Sequence, residues 1–529
     1  MISEGSCTLD EWNKKSSFDW AGENDIFSAL LFWQEGCDGT WQERKCYMVR
    51  DRQFYRDFFV MWIVLVLQNV ITLSVNLADN MMLGAYSETA LAGVAAVNQI
   101  QFVYQQLLIS FGEAAMILGT QYYGKRQMGP VRELARGAMY CGVALSAVLF
   151  LAASLIPRQL MLIFTTDEEI ILQGMAYLRV IRFTYLVFAV AQILLYTLRI
   201  VGTVRISLYL SVTALLLNCF WNYALIYGRF GFPSYGVAGA AAATLISRLV
   251  ELGILIGYLA LREDKLRLTW RLYLLPLRDA RRRTAVAADQ APASSAGPEQ
   301  TKDASTVRWA PVSLLMADYI RVMLPLMVVN ALWGLNNAAQ NAILGHMTAR
   351  AIAANSVAST LFLLVKSTAQ GSAATASFFT GKTIGEGDYD RLKLYARTWQ
   401  VLFVIIGILS GILLFFLRVP ILSLYRLAPE TRQMADTFLI ILSVIIVTMS
   451  YQMPVNAGII KGGGDIRYAV TLDLVSIWCI VIPVSWVAAF VLHASPVVVV
   501  WCLNADQIFK AVPAFIKCNF GHWAKKLTR

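Results

Sequence analysis

Long apolar runs separated by short polar breaks dominate this chain. Gly137 to Ile156, Trp399 to Leu417 and Leu474 to Leu492 contain no charged residue. Each is close to the ~20 residues that a helix needs to cross a bilayer. The runs are continuous, whereas strands of a membrane barrel alternate over segments of about 10 residues. The pattern therefore predicts an all-α integral membrane protein. Twelve transmembrane helices are expected, near 57–80, 91–118, 132–155, 174–197, 204–227, 237–261, 319–344, 352–379, 393–417, 436–459, 467–491 and 495–518.

Three stretches stand apart from this pattern. Residues 1–52 are polar and rich in Trp, and lack the basic start and apolar core of a signal peptide. The apolar run Phe27–Trp33 within them is too short to span. Residues 263–318 read as a cytoplasmic linker, basic at its start and rich in Ala, Pro, Ser and Gln from Thr284 to Thr306. Such a segment cannot bury enough apolar surface to fold. Residues 520–529 read as a basic cytoplasmic tail. The division is thus an N-lobe of six helices over 53–262 and a C-lobe of six over 319–519.

Composition agrees. Of 529 residues, 57% are hydrophobic and 15% charged, with a mean hydropathy of +0.56. A soluble domain carries about 25% charged residues. The net charge of +11 would point to nucleic acid in a soluble protein. Here the basic residues fall in alternate connections: Lys125, Arg126 and Arg132; Arg199 and Arg205; Lys382, Arg391 and Lys393; Lys461 and Arg467. Cytoplasmic loops carry such an excess. The distribution predicts twelve spans with both termini in the cytoplasm, and no nucleic-acid partner. Eight Cys form no CxxC pair, and three His lie far apart at 346, 493 and 522, so no metal site or cofactor is expected beyond a coupling ion. The same scarcity argues against an integral-membrane enzyme.

The two groups of six helices repeat one another. Asn80 and Gly84 fall on Asn341 and Gly345, and Ala135-Arg136 on Ala396-Arg397, at an offset of 261. Arg205 ends RIVGTVR as Arg467 ends KGGGDIR, at 262. Halves with six helices each share one topology, so the repeats are parallel, and such transporters rock one half against the other. The Gly-rich IIKGGGD lacks the GxxxxGK[ST] order of a phosphate loop, so transport is expected to be secondary.

Polar residues within spans mark candidate sites, because each is costly in lipid. In helix 1, Gln68, Asn69, Thr72, Asn76, Asp79 and Asn80 fall within about 120° of arc. Asp79 is the one carboxylate of this stripe. Asn218 and Asn222 share a face of helix 5 at i, i+4. Glu113 is a second acid within a span. Asn330, Trp333, Asn337, Gln340 and Asn341 occupy about 100° of helix 7. Trp333 is placed to stack on a cationic or aromatic substrate. Asp473 is the remaining C-lobe acid in a span, poised to attract cations or to pair with Arg467. Among central basic residues, Lys366 is the main exception to a general scarcity.

These motifs resemble the multidrug and toxic compound extrusion (MATE) family over about residues 50–520. LLLNCFWNYALIYGRFGFPSYGVAGAAAATLISRLVE from Leu215 is the most specific match, through Asn218, Asn222, Gly228, Gly231, Pro233, Gly236, Gly239, Ala240 and Arg248. FYRDFFVMWIVLVLQNVITLSVNLADNMMLG, LPLMVVNALWGLNN and IIKGGGDIRYAVTLDLVSIW resemble its helix 1, 7 and 10–11 patterns. The resemblance implies a V of two six-helix lobes and export of cationic or amphipathic organic compounds in exchange for H⁺ or Na⁺. It places Asp79 at the family's cation-binding aspartate with Asn218 and Asn222 at matching positions; Glu113, the second span acid, completes the expected cation-coupling set. The polar stripes put Gln68, Asn69, Asn76, Asn330, Trp333, Asn337 and Gln340 in the expected substrate cavity, with the span acid Asp473. A monomer in the plasma membrane is expected. Related superfamily members flip lipid-linked precursors, so that function, or export of one metabolite, is the alternative. Three departures stand out. Val64 replaces the family's proline in helix 1, Asn222 replaces the acid of some proton-coupled relatives, and helix 7 carries no acid after Asp318. Family chains also tend to begin just before RDRQFYRDFF, which makes Met48 a candidate initiator.

Overall fold

In the computed structural model, the described residues are 48–165, 167–262, 312–347, 349–423 and 428–528. The expected extension before Met48 and most of the expected linker lie outside them. Twelve long helices follow one another: α1 (Arg52–Tyr86), α2 (Glu88–Gly124), α3 (Met128–Leu155), α4 (Glu168–Ile200), α5 (Arg205–Tyr227), α6 (Gly236–Leu261), α7 (Val312–Met347), α8 (Ala349–Glu386), α9 (Tyr389–Leu422), α10 (Pro429–Ile460), α11 (Ile466–Val491) and α12 (Pro496–Phe520). Eleven are long and apolar enough to cross a bilayer. α8 is long enough, at 38 residues, but carries Lys366, Gln370 and several Ser and Thr.

Most helices outrun the expected bounds, and α7 starts at Val312 where 319 was expected. Hydropathy marks only the part of a helix that lies in lipid; polar turns continue the same backbone hydrogen bonds beyond it. Local chemistry sets the ends. The Asp51 carboxylate caps α1 by accepting from Gln53 N at 2.8 Å. Gly228 ends α5 in the left-handed region at φ 67°, and a Cβ there would press on Ser234 N. α1 runs unbroken past buried Val64, and α10 turns into a π-helical stretch from Pro454.

The halves are built alike. α2 packs on α4 as α8 packs on α10, α3 on α4 as α9 on α10, and α1 on α5 as α7 on α11. Each half also lends the opening turns of its first helix to the other. Val49, Phe54 and Phe58 join the core of Trp399 and Phe403, while Leu315, Tyr319 and Met323 join the core of α2–α5. Trp62 Nε1 in α1 donates to Ser372 Oγ in α8 at 3.0 Å, and Tyr319 Oη in α7 donates to Phe111 O in α2 at 3.1 Å.

The halves close on each other at the end carrying the α2–α3 and α8–α9 connections. There Gly124 of α2 meets Lys382 and Gly385 of α8, so closely that a Cβ would overlap the Lys382 carbonyl. Residues 521–528 cross this end and are packed, not a free tail. Trp523 is buried, Gln121 Nε2 donates to Lys525 O at 3.1 Å, and Gln121 Oε1 accepts from Leu527 N at 2.9 Å. Lys525 N donates to Gly463 O at 2.8 Å, and its ammonium pairs with Asp465 at 2.7 Å. Phe102 of α2 and Trp333 of α7 also meet across the halves, with ring centroids 5.9 Å apart. Leu77 and Met81 of α1 and Leu335 of α7 are exposed.

Candidate cation and substrate sites

The stripe of helix 1 turns its polar side into a cavity enclosed by α1, α2, α4, α5 and α6. Asp79 lies on its wall, half-buried. One turn apart on the facing side of α5, Asn218 and Asn222 are 1% and 0% exposed. Asn222 Nδ2 donates to the Asp79 carboxylate and, at 3.0 Å, to Asn218 Oδ1. Asn218 Nδ2 donates in turn to Thr244 Oγ1 of α6 at 3.3 Å. The chain of amides orients the carboxylate from behind. It leaves Asn222 Oδ1 buried with no hydrogen-bond partner among the described residues.

An ion pair shares the wall. Arg248 Nη1 contacts Glu251 Oε2 at 2.7 Å, and its guanidinium lies 5.0 Å from the Phe188 ring centre. The charged lining residues are then Asp79, Glu251 and Arg248, two negative and one positive, which sum to −1. The cavity holds about 90 Å³, room for a few waters or a small cation. A carboxylate beside an unpaired carbonyl oxygen suits a hard monovalent cation, and a carboxylate alone suits a proton.

The other expected site residues divide. Gln68 and Asn76 line this cavity, and Gln68 Oε1 accepts from Arg199 Nη2 at 3.1 Å. Asn69 is half-buried and outside the lining. Glu113 is not with Asp79: Lys461, at the end of α10, holds it at 3.2 Å across the two halves. A helix drawn alone cannot show that a residue 348 positions away supplies its counter-charge. Asn330 donates to Ser110 Oγ in α2 at 3.0 Å, and Gln340 donates to Asn336 Oδ1 at 3.3 Å. The Asn337 side chain lies outside the described residues. Trp333 lies against Phe102 and Lys366. Asp473 pairs with Lys510 of α12 at 3.1 Å and accepts from Asn456 at 3.4 Å, so its partner is not the expected Arg467.

Several lining groups escaped the sequence reading. Asn98, Gln101 and Gln105 of α2 recur at i, i+3, i+7, a helical spacing that marks one face. Arg248 and Glu251 stand at i, i+3 inside a span, an ion pair that spacing alone could have exposed. Arg182 also lies mid-span, 5.1 Å from the Phe183 ring centre and 5.8 Å from that of Phe150. Basic residues in the central helices are therefore less scarce than expected.

Comparison with known proteins follows the same geometry. The MatE family pattern matches residues 65–224 and 325–487, one stretch in each half. The chain is 24% identical over 465 residues to "Probable multidrug resistance protein NorM" of Thermotoga maritima, covering 87% of this chain and 92% of that protein. It is 25% identical over 444 residues to "Probable multidrug resistance protein YoeA" of Bacillus subtilis, covering 82% and 86%. A mutant of the Vibrio cholerae MATE transporter VcmN superposes with a TM-score of 0.74 at 15% identity, covering 90% of this chain and 98% of that one. With the pattern matched in both halves and the fold shared along nearly the whole chain, this multi-pass membrane protein belongs to the MatE family, a family of transporters and not of enzymes.

Proposed function

We propose that the protein is a secondary active exporter of cationic or amphipathic organic compounds, driven by exchange for a cation held at Asp79, Asn218 and Asn222. The observation that carries this reading is the net −1 cavity with Asp79 on its wall and the unpaired Asn222 Oδ1 beside it. An isolated membrane carboxylate is costly, and a bound H⁺ or Na⁺ offsets that cost. The curated relatives named as multidrug resistance proteins support the substrate class.

Alternating access supplies the cycle. The closed end carries Lys125, Arg126, Lys382 and Lys461, so the positive-inside rule makes it cytoplasmic. The described conformation then opens away from the cytoplasm, with the protein a monomer in the plasma membrane. Cation entry at Asp79 in this state draws α1 and α5 together and favours release of substrate. The cavity of about 90 Å³ is too small for a drug-sized ligand, so the substrate belongs in the opening between the halves and the cation within the N-lobe.

The test is ethidium efflux from proteoliposomes under an imposed proton gradient and, separately, an imposed sodium gradient. One gradient is expected to drive efflux, and Asp79→Asn to abolish it. Efflux that survives in Asp79→Asn, or that neither gradient drives in the unaltered protein, overturns the proposal.

A further inference from the structure

Glu113 lies near two cations that the internal repeat makes equivalent. The offset of 262 that sets Arg205 on Arg467 also sets Arg199, at the end of α4, on Lys461, at the end of α10. The offset of 261 sets Glu113 of α2 on Ala374 of α8. Each half therefore brings one cation, and the N-terminal half alone brings an acid. In the described conformation the acid is held by the cation of the other half. Lys461 Nζ lies 3.2 Å from Glu113 Oε2 and 3.4 Å from Oε1. Arg199, in the acid's own half, rests on neutral groups. Its Nη2 donates to Gln68 Oε1 at 3.1 Å, and its guanidinium lies 4.9 Å from the centre of the Tyr196 ring. Its Nε–H is buried with no hydrogen-bond partner among the described residues.

Tyr196 brings Arg199 close to the acid. Its ring packs on Gly112, the neighbour of Glu113, so tightly that a Cβ there would overlap it. Opening of the cytoplasmic end parts the halves and takes Lys461 away from Glu113. A carboxylate left alone in a span is costly. Arg199 stays within reach, because α2 and α4 pack together in one half. Its planar fork suits a carboxylate better than the single amide oxygen it now holds. We propose that Glu113 exchanges partners as the halves rock, holding Lys461 while the cytoplasmic end is closed and Arg199 while it is open. Each state then keeps the acid paired, and loss of either cation favours the other state. The exchange rests on the alternating access proposed above, and on neither the cargo nor the coupling ion.

Spin labels at Gln127→Cys and Asp390→Cys test it, in the cysteine-replaced full-length protein in nanodiscs. Lys461→Gln should raise the ratio of the longer, open distance component to the closed one about tenfold, as loss of one charge-assisted hydrogen bond provides. Lys461→Arg should keep the unaltered ratio. Adding Arg199→Gln to Lys461→Gln should bring the ratio back down, since the open state then loses its pair as well. In Glu113→Gln, neither cation substitution should move the ratio further, whereas a packing role for either cation would still show there. Each variant is checked for folding by its elution profile. An unaltered distribution in Lys461→Gln overturns the exchange. So does a double variant no more closed than Lys461→Gln, or an effect of Arg199→Gln that persists in Glu113→Gln. Failure of the ethidium test sinks the export reading instead, and the distances still judge the exchange.

Discussion

Asn218 and Asn222 are the same residue type, both buried, one turn apart, yet they do different work. Asn222 faces Asp79, while Asn218 is one step behind and tied to Thr244. Removing Asn222 takes away both the donor that orients the carboxylate and the unpaired oxygen beside it. Asn222→Leu is therefore expected to weaken the coupling cation by roughly 10–100-fold, the range for groups that position a ligand. The concentration of Na⁺ or H⁺ giving half-maximal efflux reads this out; an unchanged value would assign Asn222 to packing alone. At this scale the polar stripe of helix 1 and the i, i+4 pair of helix 5 were legible, because both are periodicities within one helix. The partner of Glu113 was not, since Lys461 comes from the other half.

Helices meet at this protein's closed end through what they omit. At the crossing of α2 and α8, Gly124 and Gly385 bring backbones into contact, and a Cβ on Gly385 would overlap the Gln121 carbonyl. Neither backbone can yield without parting the two halves. Gly385→Ala is expected to destabilise the protein by about 1–3 kcal/mol, as overpacking does in cores, measured as a lower unfolding midpoint in detergent. Gly387, two residues on, has φ 81° and open space around its missing side chain. Its alanine variant carries only backbone strain, and a loss as large as that of Gly385→Ala would argue against the crossing as the cause. The sequence alone places Gly381, Gly385 and Gly387 within GKTIGEGD. It did not show which of them touch another helix.

The packed segment after α12 ties both halves together at the closed end. Gln121 of α2 grips its backbone on one side and Asp465 receives Lys525 on the other. Trp523→Ala removes its buried anchor and is expected to populate states in which this end opens. Spin labels at Gln127→Cys and Asp390→Cys, in the cysteine-replaced protein, should then show a longer distance component; an unaltered distribution would leave the segment no part in closure. Burial alone would raise the pKa of Asp465, but hydrogen bonds and charge from Lys525 and Lys517 hold it below the usual carboxylate range. A depressed folded pKa contributes stability above the unfolded value of ~3.9, lost as pH falls through the folded value. The melting temperature should thus exceed that of Asp465→Asn by a constant margin from neutral pH down to about pH 4, and the margin should close below it. A margin that instead opens as pH falls would contradict the pairing.

The membrane class, the twelve helices and their division into two like halves follow from the chain alone, because lipid forces long uncharged runs and duplication leaves a nearly constant offset of 261 to 262. Asp79 and its asparagines were visible for a related reason, since a polar group in a span must face away from lipid. The closing of one end, the exchange of first turns between halves and the pairing of Glu113 with Lys461 arise where residues hundreds of positions apart meet. Periodicity describes one helix at a time, whereas these features depend on which helix lies opposite, and packing settles that.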